Sequence, residues 1–283
     1  MKYSAASIFK QLGKALCYYG LFLGIQVIVG FAFTFAAGFI IGFQTTLQGK
    51  PMPSAEVLSS QIMDMVTENT GLLVLLYTVP TLLFLWLFFL IRRKKFRVEA
   101  GMVSFPKSLL PSVVLFSVGI TAFLNTALNL LPESWLDAYS DSSSSLGQGP
   151  FLMTLLATGV CAPILEEIIF RGLILSRLKR AMPLWVAILI SSLMFGIAHG
   201  QILWISYTFC LGVLFCVIAE RTGSILSTML VHAIFNGLGT CLSYSGYMFT
   251  WVVFWATLIL GILLSVLGMW LLIHKTQEKP VAA

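Results

Sequence analysis

Charge is what this sequence most lacks. Lysine, arginine, aspartate and glutamate make up 10% of its 283 residues, where a soluble globular domain carries about 25%. With 58% hydrophobic residues beside it, that shortage excludes an ordinary soluble domain. Soluble cores do not need apolar runs of ~20 residues, and this chain has many of them. Cysteine is sparse and odd in number: Cys17, Cys161, Cys210, Cys216 and Cys241 all fall within apolar runs. Without paired spacing they exclude a disulfide framework and read as small packing residues. The formal charge of +6 has no soluble basic segment behind it, so no nucleic-acid partner is expected. No serine or cysteine has the company a nucleophile needs, the compact zinc signature H-E-x-x-H is absent, and no internal repeat suggests the inverted halves of a secondary transporter.

What is present is a series of apolar runs bounded by charged or turn residues. They are expected at about Ala15–Phe43, Gly71–Ile91, Leu109–Leu131, Phe151–Leu175, Pro183–Gly200, Ile202–Ala219, Ile225–Leu242 and Met248–Ile273. The first exceeds the ~7–15 residues of a signal-peptide core, so it reads as a retained span. The fold class is therefore all-α, a polytopic transmembrane bundle of about eight spans. Of the 17 lysines and arginines, Lys2, Lys10, Lys14, the Arg92–Lys107 group, Arg177, Lys179, Arg180, Arg221, Lys275 and Lys279 fall on one set of loops. Lys50 alone falls on the other. The positive-inside rule then predicts that both termini are cytoplasmic, in the plasma membrane and in contact with the lipid bilayer. The outer loops are polar: the Ser54–Asn69 stretch is weakly amphipathic, and the SDSSSSLGQG tract reads as a flexible linker. Trp185, Trp204, Trp251, Trp255 and Trp270 read as interfacial anchors.

Five ionisable residues lie where such a chain should have none: Glu166, Glu167, Arg171, His199 and His232. Each charge at the centre of a span costs roughly 2.5–3.5 kcal/mol on insertion scales, so they are expected to face one another. Glu167 and Arg171 are four residues apart on one helix and can pair, as can Phe195 with His199 and His232 with Asn236. That pairing leaves Glu166, about 100° around the helix, free to point elsewhere. Small residues (Gly172, Gly196, Gly200, Gly237, Gly239) flank the clusters and let backbones approach in lipid. A desolvated carboxylate is a credible general base for water. A histidine beside it can hold that water or bind a metal, and a His/Asn pair can donate to a developing oxyanion. The bland alternative for Glu167 and Arg171 is a structural ion pair fixing the helix.

Taken together, EExxxR (Glu166, Glu167, Arg171), FxxxH (Phe195, His199) and HxxxN (His232, Asn236), in this order on successive spans, resemble the CPBP family. That family comprises the type II CAAX prenyl endopeptidases and the bacteriocin-processing and abortive-infection-like membrane proteins. The resemblance covers roughly Phe151 to Gly246. It implies an intramembrane endopeptidase acting on a membrane-associated or lipidated peptide or protein. By that likeness Glu166 activates water with His199 beside it, His232 and Asn236 stabilise the oxyanion, and Glu167 and Arg171 support the geometry. In a metal reading, His199 and His232 would bind a divalent ion such as Zn2+; the metal-free reading uses the same residues. A proton-coupled transporter would also use buried Glu and His, and an immunity or scaffold protein would keep the frame without catalysis.

The chain is expected to divide into residues 1–150 (three spans and outer loops), 151–246 (the core) and 247–283 (last span and tail). Depth strains this picture at one point. At 1.5 Å per residue, Glu166 and His232 lie roughly 15 and 12 Å from the cytoplasmic end of their spans, but His199 comes out nearer 24 Å. A Gly200–Gln201 turn recessed below the outer surface, with Gln201 satisfying its backbone, would reconcile them.

Overall fold

The computed structural model describes residues 4–144, 149–246 and 250–277. Lys2, Lys279, Met248 and part of the serine-rich tract lie outside the described residues. The regular elements among the described residues are all helices: α1 (Ala5–Leu47), α2 (Ala55–Glu68), α3 (Thr70–Ile91), the single turn α4 (Phe96–Glu99), α5 (Leu110–Ala127), α6 (Glu133–Ser144), α7 (Phe151–Leu178), α8 (Leu184–Ile197), α9 (Ile202–Thr222), α10 (Ile225–Ser245) and α11 (Trp251–Gln277). Seven of these are long and apolar enough to cross a membrane. This is a multi-pass membrane protein. The segment expected as the fifth span, α8, has 14 residues and falls short of the ~20 a crossing needs. It ends in a tight turn: Gly200 takes a positive φ of 77°, and Gln201 Oε1 accepts from Trp204 N at 2.8 Å.

Elsewhere the helices depart from the expected bounds in ways their chemistry explains. The amphipathic Ser54–Asn69 stretch is α2, started by Ser54 accepting from Val57 N. Part of the expected serine-rich linker, up to Ser144, is instead helix α6, whose first turn carries Glu133, favourable at the positive end of a helix dipole. At 43 residues, α1 runs about 65 Å, about twice a hydrocarbon core. Its C-terminal part packs on α2, with Gly38 3.3 Å from Ile62 where a Cβ would sit.

The core forms around α7, which has two wide turns of π-helix, Ala157–Cys161 and Ile168–Leu175. Pro163 lies between them, and because it lacks an N–H it frees a carbonyl one turn back. Leu165, Ile169, Phe170, Leu173, Ile174 and Leu178 are fully buried against α1, α3 and α8. On the other side α5, α9 and α10 pack around Val113, Phe215, Ile218 and Val231. Helices α5 and α11 meet almost backbone to backbone: a Cβ on Gly268 would lie 2.4 Å from Phe116 N. Gly268→Ala must push the two helices apart, and a loss of about 1–3 kcal/mol is expected, read as a lowered unfolding temperature in detergent.

One end of the bundle is stitched shut by the basic loop after α3. Ala100 is fully buried, and its carbonyl sits 2.5 Å from where a Cβ on Gly172 would be. Gly101 O accepts from Ile225 N at 3.2 Å, and Ser224 Oγ donates to Val103 O. Glu99 pairs with Lys94 at 2.8 Å and with Arg177 at 3.2 Å, and Lys179 pairs with Glu220 at 2.6 Å. The Lys94 hydrogen bond, aided by the charges of Lys94 and Arg177 and opposed by partial burial, holds the Glu99 carboxyl below its usual range. A carboxylate with a depressed folded pKa stabilises the fold above its unfolded pKa and loses that as pH falls through the folded value. Glu99→Gln should therefore melt below wild type at neutral pH, and the gap should close below about pH 4.

Candidate active site

Two facing stripes of period four build the site, one on α7 and one on α10. Thr154, Thr158, Ala162 and Glu166 follow one another up one face of α7, and Tyr244, Thr240, Asn236 and His232 descend α10 opposite them. The rungs are polar. Thr154 Oγ1 lies 3.0 Å from Tyr244 Oη, Thr158 Oγ1 lies 3.0 Å from Thr240 Oγ1, and Asn236 Nδ2 donates to Thr158 O at 2.9 Å. Tyr244 also donates to Gly149 O. The wide π turn at Ala157–Cys161 and a small residue on each helix permit the approach: a Cβ on Gly159 would come 3.3 Å from Gly237 Cα. The rungs end at Glu166 and His232.

The two adjacent glutamates have different surroundings. Glu167 is wholly buried, its side chain 0% exposed. Its Oε1 accepts from Arg171 Nη1 at 2.9 Å and from His232 Nδ1 at 3.0 Å. Arg171 continues inward, donating to Gly212 O at 3.3 Å. Its guanidinium lies between two rings, 4.3 Å from the centre of Phe195 and 5.1 Å from that of Phe215, a cation–π arrangement suited to arginine. Glu166 keeps 15% of its side chain exposed and has Oε2 3.7 Å from His232 Nε2.

Hydrogen bonding sets both imidazoles. His199 Nδ1 lies 2.8 Å from Phe195 O, an oxygen that can only accept, so the hydrogen is on Nδ1. His232 Nδ1 faces the Glu167 carboxylate and donates to it. Each ring therefore has Nε2 as its free nitrogen. Two acceptors facing each other at 3.7 Å, His232 Nε2 and Glu166 Oε2, are comfortable only with a proton or a water between them.

Glu166, His199, His232 and Asn236 line one cavity of about 920 Å³, while Glu167 and Arg171 stand behind its wall. All six sequence-derived residues thus lie in one neighbourhood. Asn236 differs from expectation in one respect: one of its two N–H groups is spent on Thr158 O, leaving one for another acceptor. Trp204, expected as an interfacial anchor, instead lines the cavity with its ring 5.8 Å from that of His199. Sequence reasoning also missed Tyr77, Thr154, Thr158, Thr240 and Tyr244 on the cavity wall. The signal for four of these was available, since Thr154, Thr158 and Asn236, Thr240, Tyr244 repeat every four residues within apolar runs.

A metal fits less well. The donor types suit zinc, but among the described residues no three His, Cys, Asp or Glu side chains come together closely enough to hold an ion.

Comparison with known proteins bears on the same segment. Residues 148–238 match the family model described as type II CAAX prenyl endopeptidase Rce1-like. Over 93 residues the chain is 34% identical to an Escherichia coli protein named "Uncharacterized 24.3 kDa protein", covering 31% of this chain and 43% of that one. Over 84 residues it is 32% identical to the Bacillus subtilis (strain 168) protein named "Putative membrane peptidase YdiL", covering 30% of this chain and 34% of that one. The chain thus spans less than half the length of either curated relative. No solved structure matches. Residues 148–238 of this multi-pass membrane protein are therefore similar to the Rce1-like type II CAAX prenyl endopeptidase family.

Proposed function

We propose that the chain, built around this Rce1-like segment, is an intramembrane endopeptidase of the plasma membrane that hydrolyses a peptide bond with water activated by Glu166. The observation that carries this reading is the division between neighbours. Glu167 is buried, neutralised by Arg171 and hydrogen-bonded by His232 Nδ1, while Glu166 faces the cavity with its Oε2 3.7 Å from His232 Nε2. A water between Glu166 Oε2 and His232 Nε2 would donate one hydrogen to each and turn an oxygen lone pair to the substrate carbonyl.

In the step we infer, Glu166 takes one proton as the water oxygen bonds to the carbonyl carbon. The carbonyl π pair moves to oxygen, where the remaining N–H of Asn236 stabilises it. His199, whose free Nε2 is an acceptor, receives a substrate N–H from the far side. The tetrahedral intermediate then collapses, the C–N bond breaks, and Glu166 returns its proton to the leaving amine. Glu167 and Arg171 act as positioning residues that hold His232 in the Nδ1–H tautomer.

The test is a comparison of peptide termini by mass spectrometry in membranes carrying wild type or Glu166→Gln. Cut sites present only with wild type are expected, and their sequences name the substrate. Identical termini, with both proteins folded and inserted, would overturn the reading in favour of a proton relay or scaffold.

A further inference from the structure

The end from which the cavity opens bears on the substrate. The basic clusters of separate loops are gathered at one end of the bundle. Arg177 meets Lys94 through Glu99, Lys14 has Arg92, Arg177 and Arg180 among its charged neighbours, and Lys275 Nζ reaches Ser108 O at 3.3 Å. By the positive-inside rule this end is cytoplasmic. It is also the closed end. Between Glu166 and the basic loop lies the solid layer Ile168–Leu178, covered by Ala100 and tied by Gly101, Val103 and Glu99.

Away from Glu166 in the other direction the cavity continues. Its wall is lined by Thr158, Thr240, Thr154, Ser243 and Tyr244, and by Tyr139 of α6. Tyr139 packs at this end against Trp204 and Tyr207, with ring centres 6.0 and 6.2 Å apart. The segments here carry Glu56, Asp64, Glu68, Glu133 and Asp137, and Lys50 as their basic residue. A ladder of hydroxyls and amides from the mouth to Glu166 suits an extended peptide, whose backbone needs hydrogen-bonding partners once it leaves water.

We propose that the chamber is loaded from the end opposite the basic loops, the outer face of the membrane. Its substrate is then a peptide, or the tail of a protein, exposed on that face. A cytoplasmic prenylated tail would meet the closed end. The choice of substrate rests on the endopeptidase reading; the position of the mouth does not.

Cysteine accessibility tests it. Ser243→Cys and Thr240→Cys place thiols on the cavity wall, and Ser104→Cys places one in the basic loop, with the native cysteines replaced. Intact cells are treated with a membrane-impermeant, mass-tagged maleimide and the protein is read as a gel shift. The expected result is a shift of Ser243→Cys or Thr240→Cys in intact cells, and of Ser104→Cys only after permeabilisation. A reversed pattern overturns the proposal, as does cavity labelling that appears only after permeabilisation. The readout needs no turnover, so failure of the protease reading leaves it intact, whereas reversed labelling with proteolysis preserved overturns the outer mouth alone.

Discussion

Glu166→Gln is expected to abolish cleavage while leaving the protein folded, a loss of about 10²–10⁴-fold or more for removal of a general base. Glutamine keeps the size and one oxygen of the side chain but cannot take a proton from water. The fold should tolerate it because Glu166 makes no buried ion pair comparable to that of Glu167, and part of its side chain already faces the cavity. Two companions sharpen the test. Asn236→Ala removes the proposed oxyanion donor and should cost about 10²–10³-fold in kcat, together with the bond to Thr158 O. Trp204→Phe keeps an aromatic against His199 and should leave most activity. Full activity in Glu166→Gln, with cut termini unchanged, would remove this residue from the chemistry.

The largest stability effect is expected at Arg171. Its guanidinium is buried with the Glu167 carboxylate, their side chains 1% and 0% exposed, and it also fills the space between Phe195 and Phe215. Removing one partner of such a pair leaves an uncompensated charge and costs about 3–5 kcal/mol. Arg171→Met should therefore unfold at much lower temperature in detergent or fail to accumulate. Changing both charges together, Glu167→Gln with Arg171→Met, should recover much of the loss, because no isolated charge is left and methionine refills part of the volume. The double variant should still be slow in peptide hydrolysis, since glutamine no longer holds His232 as a carboxylate does. If the single variant is as stable as wild type, the pair is not what holds α7 against α9 and α10.

Much of this was legible in one dimension. The apolar runs announce a helical membrane protein because all but the fifth form helices long enough to cross a bilayer, and nothing in lipid but a helix or closed barrel satisfies the backbone of such a run. The i,i+4 pairs were legible because helix geometry alone puts those side chains on one face. Glu167–Arg171 and Phe195–His199 both formed. The short α8 was half-legible: the depth mismatch of His199 drew attention to the Gly200–Gln201 turn, where Gln201 caps α9 with its side chain. Helix α6 was misread as linker because serine is a poor guide in either direction, favouring caps and turns yet tolerated in a helix face.

Composition and periodicity thus settled the class and most of the helices, and pointed to the six polar residues, since these follow from local geometry and the cost of charge in lipid. The Glu167–Arg171 pair follows from i,i+4 spacing within α7, but that His232 joins it at Glu167 and that Glu166 faces a cavity was settled only by tertiary packing. The polar seam from Thr154 to His232 was settled the same way, by contacts between residues 65 to 90 apart, and the closed basic end by contacts as distant as that of Ser224 with Val103, 121 residues apart, distances at which no local pattern carries information about partners.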